Sequence, residues 1–186
     1  MSPSPYFTLP FLLVVAILQS TAAPRLTVVG ARPDLMLTSV VSWTLLAALR
    51  ARELEYAGES PSLTRGFNDG IVWGFAGGMF LDLLSGAPLG ASALALMVAA
   101  LVVGIIGVGV SIPAPLLVAL MTALGTLIYH LAFLVVLALM GRTVFWGMDM
   151  ARVILPSLAL NLLLVPAVYG LLGLVNRQTS RERLQW

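Results

Sequence analysis

Few side chains in this chain could do chemistry. Within or beside its long apolar runs stand two aspartates, Asp34 and Asp82, one histidine, His130, and the amides Gln19 and Asn161. Two carboxylates on one face of a helical bundle can divide acid and base roles between them. Asp82 with Asp149 is the pair such chemistry would use, but their spacing names no reaction. A histidine can titrate near neutrality or ligate a metal. His130 has no second histidine, no cysteine and no acid in its own run to complete a metal site. There is no GxxxxGKS/T, no HExxH and no GxSxG, so catalytic residues, cofactor and metal are all expected to be none. Gln19, His130 and Asn161 read as polar groups bonding between helices, although three such side chains in a bundle could line a small polar cavity.

The elements that must hold these residues are apolar. Of 186 residues 60% are hydrophobic and 10% charged, with a mean hydropathy of +1.02. Leu83 to Gly141 contains no Asp, Glu, Lys or Arg, so no solvated surface can be built from it. The composition is that of an all-α integral membrane protein, a single transmembrane domain. All ten basic residues are scattered arginines, which argues against a nucleic-acid partner, and the missing cysteines remove disulfides and thiol chemistry.

Charges, prolines and Gly/Ser clusters divide the chain into six spans, at about 6–23, 33–49, 66–84, 91–110, 115–140 and 151–175, with a tail over 176–186. Pro33 suits a first helical position and Asp34 the positive start of the second span. Pro113 and Pro115 turn the chain between the fourth and fifth spans, while Pro156 and Pro166 are expected to bend the sixth. The segment from Arg50 to Arg65 reads as a solvated loop, either irregular throughout or holding a short helix. With six spans, Arg50, Arg52, Arg65, Arg177, Arg181 and Arg183 share a side with both termini, against Arg25, Arg32, Arg142 and Arg152 opposite. The excess places both termini in the cytoplasm. A cleaved signal peptide is the competing reading of the first span, but no Lys or Arg precedes its apolar run. The tail reads as a membrane-surface stop whose arginines meet lipid phosphate.

Glycines recur at Gly66, Gly70, Gly74 and Gly78, and Asp82 takes the next step of four. Such a series traces a slanting groove without side-chain bulk, where another helix can approach closely. Either a helix of this chain or a helix of a partner subunit could fill it. Ser85, Gly86, Pro88 and Gly90 form an external turn beyond it, and Asp82 needs a partner, for which Arg32 in "RPDL" is the candidate.

The "RPDL" at 32–35, "GFAGGMFLDLLSGAPLGASAL" at 74–94 and "LQST" at 18–21 resemble the MreD proteins of bacteria, a membrane component of the rod-shape machinery. The resemblance runs from the first span through the fourth. It implies a non-enzymatic scaffold of the cell-elongation complex in the bacterial inner membrane. Its implied partner is MreC, and through MreC the peptidoglycan polymerase and transpeptidase pair and MreB. MreD-like chains are also similar to the substrate-binding subunits of energy-coupling-factor vitamin transporters, which gives the alternative function. Ala16 and Ser20, four apart in the first span, have the spacing of small residues that such subunits present to their scaffold.

Overall fold

The computed structural model describes residues 5–25, 32–56, 64–143, 147 and 153–182. They form six long helices and, among the described residues, no strand. The helices are α1 (Pro5–Thr21), α2 (Leu35–Tyr56), α3 (Thr64–Ser85), α4 (Ala91–Gly109), α5 (Ala114–Leu139) and α6 (Leu155–Glu182), with one 3-10 turn at Ala23–Arg25 after α1. Four of them, α2, α4, α5 and α6, are long and apolar enough to cross a membrane. Helix α1 is apolar but shorter, and α3 carries Asn68, Asp69 and Asp82 among its glycines, which lowers its hydropathy.

Two boundaries differ from the sequence reading. Helix α2 runs on through Arg50, Arg52 and Glu53 to Tyr56, where a loop was expected from residue 50. Helix α6 continues through the first part of the expected tail to Glu182. The extra turns of α2 are Arg, Ala, Glu, Leu and Tyr, mostly good helix formers that need no burial, and those of α6 carry Arg, Gln and Glu beside Asn, Thr and Ser. Pro156 stands in the first turn of α6, where its missing N–H costs nothing, and only Pro166 lies in the helix interior.

Helix α2 is the axis of the molecule. It touches every other helix, and no residue from Leu35 through Arg52 is exposed. Its hydroxyl residues are buried with it, and Thr38, Ser39 and Thr44 donate to the carbonyls of Leu35, Leu35 and Val40 one turn back. Each of these three hydroxyls thus brings its own acceptor into the core, whereas the buried Ser42 Oγ has no hydrogen-bond partner among the described residues. Trp43 of α2 stacks on Trp73 of α3 with ring centroids 4.6 Å apart and planes within 2°, and Phe11 of α1 closes on Trp73 at 5.6 Å. The other helices surround α2 and turn leucines and valines outward, as at Val14, Val72, Leu94, Leu127 and Leu163.

Helices α3 and α4 form the most extensive pair. At about 100° per residue, Gly70 and Gly77 lie within about 20° of each other on α3, while Gly74, Gly78 and Asp82 follow at steps of about 40° toward the next face. The two groups meet different neighbours. A Cβ at Gly70 or Gly77 would strike Thr44 or Met36 of α2; one at Gly74 would sit 3.0 Å from the Leu96 carbonyl of α4, and one at Gly78 would strike the Ala93 backbone. The groove at Gly74 and Gly78 is therefore filled by this chain's own α4, and the partner-subunit alternative does not hold there. For Gly66 only its place in α3 is described.

Candidate functional site: two helix starts fixed by acids

A helix start leaves its first N–H groups without intrahelical acceptors, and in apolar surroundings each needs a partner. At α4 all four find one. The Asp82 carboxylate, 2% exposed, accepts from Gly90 N–H at 2.8 Å, Ser92 N–H at 3.0 Å and Ala93 N–H at 3.4 Å. Ala91 N–H donates to the Pro88 carbonyl at 3.1 Å. The turn makes this possible. Gly86 and Gly90 take positive φ of 67° and 91°, conformations that glycine adopts without a Cβ penalty, and Ser85 Oγ accepts from Ala87 N–H at 3.4 Å. The chain is thereby folded back so that α4 begins over the side of α3, with its start against the last turn of that helix.

These bonds occupy the carboxylate that the sequence reading assigned to Arg32. Arg32 is exposed and makes no bond to Asp82. The correction has a simple cause. Backbone N–H groups and the positive end of the α4 dipole already supply what a buried carboxylate requires, without desolvating an arginine.

At α2 the acid caps its own helix. Asp34 Oδ1 accepts from Leu37 N–H at 3.0 Å, three residues on, which is the N-cap geometry. The two preceding donors are held by other helices: Asp34 N–H donates to Asn161 Oδ1 of α6 at 2.9 Å, and Leu35 N–H to Gln19 Oε1 of α1 at 2.7 Å. Asn161 Nδ2 in turn donates to Thr126 Oγ1 of α5 at 3.1 Å, and Thr126 passes the bond to the Thr122 carbonyl at 2.8 Å. His130 Nδ1 lies 2.8 Å from the Thr126 carbonyl; since a carbonyl only accepts, this nitrogen carries the hydrogen.

Gln19, Asn161 and His130 thus converge on one network at the start of α2. Thr126, a member of this network, and Gly77, outside it, escaped the sequence reading. Thr126 links Asn161 to His130. Gly77, outside the four-step series, gives α2 its close approach to α3. The signal available for Thr126 was its spacing, one helical turn from His130. Asp149 lies outside the described residues.

The arrangement is a set of internal fastenings. Among the described residues no three His, Cys, Asp or Glu side chains gather as metal ligands. No protein-family model, curated protein or solved structure matches the chain.

Proposed function

We propose that the protein is a non-enzymatic membrane scaffold of the MreD kind, all six helices crossing the inner membrane of a bacterium, with both termini cytoplasmic and MreC as its partner. One observation carries this reading. Two of the three stretches on which the resemblance rests, "RPDL" and the run from Gly74 to Leu94, are the segments that build the two acid-capped helix starts. Motifs separated by about forty residues of sequence would then owe their character to one task, fixing the same bundle. The use of the polar side chains agrees with it: Gln19, Asp34, Asp82, Thr126 and Asn161 all bond within the chain, which suits a body that holds its shape for a partner.

The groove being filled by α4, MreC must meet another surface, and the outward leucines of the surrounding helices are the area open to a helix within the lipid. The test is co-purification in mild detergent of the tagged full-length chain with MreC from the same bacterium, with insertion and monodispersity checked. Retention of MreC is expected. An inserted, monodisperse chain that retains none sinks the scaffold reading, and tight binding of a water-soluble vitamin by that chain would replace it with the transporter-subunit alternative.

A further inference from the structure

One polar side chain stands outward among apolar neighbours. Asn68 of α3 is exposed, and it hydrogen-bonds no group among the described residues. Its depth follows from the packing of α3. Gly74 lies against Leu96 and Gly78 against Ala93, so α3 and α4 run antiparallel in a fixed register, with Asn68 level with about residue 102 of α4. Helix α4 continues to Gly109, about 10 Å further, and Ile105 still turns outward there, 56% exposed. On the other side Gly70 lies against Thr44, which sets Asn68 level with about residue 46 of α2, roughly 6 to 9 Å short of Arg50 and Arg52. With α4 crossing a membrane, as its length and hydropathy allow, the amide lies inside the apolar layer. Asp69, beside it, is half-buried and engaged within the chain.

Asn68 heads a stripe. Asn68, Val72, Phe75 and Leu83 are exposed and Met79 is half-buried, and their steps of four, three, four and four keep them within an arc of about 80°. The glycines that meet α2 and α4 lie on the opposite side of the helix. We propose that this stripe is a contact between two copies of the chain, α3 against α3, with the two Asn68 amides hydrogen-bonded to each other.

An amide within lipid is stabilised by a hydrogen-bonding group on a neighbouring helix. Copies in one membrane share an orientation, so two α3 helices meet in parallel about a two-fold axis along the membrane normal. Each residue then finds its own counterpart at its own depth. An amide donates and accepts at once, so Asn68 is its own complement, where a charge would repel its copy. A single Asn in an otherwise apolar seam also fixes register, holding the two helices level. The inference rests on the membrane reading of the chain and not on MreC.

The lack of cysteine makes the test direct. Single cysteines are placed on the stripe, Val72→Cys or Phe75→Cys, and on α6 for reference, Leu163→Cys, which is 78% exposed. The purified full-length chains are reconstituted at high dilution in lipid vesicles and treated with a short bifunctional maleimide. Insertion is checked separately, so that failure of the membrane reading is told apart from failure of the contact. Crosslinked dimer at the two α3 positions is expected severalfold above the Leu163→Cys level. Adding Asn68→Leu should bring it down to that level, and Asn68→Gln, which keeps an amide, should retain most of it. Crosslinking at α3 no higher than at α6 overturns the contact, and crosslinking that survives Asn68→Leu overturns the role of the amide and with it the proposal.

Discussion

The starts of α2 and α4 solve one problem in two ways. Asp34 caps its own helix three residues on and leaves its neighbouring N–H groups to side chains from α1 and α6, whereas Asp82 reaches across a turn and serves three N–H groups of the next helix alone. Shared fastening distributes the cost of losing any one member. Concentrated fastening makes a single carboxylate indispensable.

Substitutions should separate the two. The largest effects belong to the α3–α4 seam. Gly78→Leu puts a side chain into the Ala93 backbone and forces the helices apart, so the folded chain in detergent should lose well over about 3 kcal/mol or fail to fold at all. Asp82→Leu strands three buried donors and should cost on the order of 3 kcal/mol or more, while Asp82→Asn, keeping one acceptor oxygen, should lose clearly less. Equal melting midpoints for the Leu and Asn variants would mean that the acceptors at Asp82 do not govern the seam.

At α2 the expected losses are smaller. Asn161→Leu removes one bond to Asp34 N–H and one to Thr126, about 2 kcal/mol, and Asp34→Ala removes a cap worth about 1 kcal/mol. Thermal unfolding of the purified variants checks the order, and a loss at Asp34→Ala as large as at Asp82→Leu would erase the contrast. The smallest effect is expected at Arg32→Gln, which should leave the melting midpoint unchanged, since Arg32 is exposed and bonds neither acid. A drop comparable to that of Asp82→Leu would restore the Arg32–Asp82 ion pair.

The same contrast explains what the sequence made legible. Asp34 could be read at the positive start of α2 because an N-cap is a local geometry, fixed within a few residues, although Pro33, expected in the first helical position, lies before that cap and the helix begins at Leu35. The partner of Asp82 could not, because its donors belong to a helix whose position depends on the turn at Gly86 and Gly90. An opposite charge was the obvious candidate, but peptide N–H groups carry no letter in a sequence. Spans four and five were legible almost to the residue, bounded as they are by Gly90, Gly109, Pro113 and Gly141. The ends of α2 and α6 were not, since Arg and Glu mark the edge of an apolar run without ending a helix. Four-step counting found Gly74 and Gly78 but joined them to Gly70, which faces another neighbour, and passed over Gly77. A groove that drifts about 40° at each step does not stay against one helix for long.

The stacked indoles of Trp43 and Trp73 bear on how such changes could be watched. Each lies nine residues along its helix from the capping acid next to it in sequence, Trp43 from Asp34 and Trp73 from Asp82, roughly 14 Å away. Parallel rings 4.6 Å apart couple their electronic transitions, so the pair should give a split circular dichroism band that vanishes when α2 and α3 part. The chain thus contains an unlabelled optical gauge at mid-helix, able to distinguish loosening at the caps from opening of the middle by light alone.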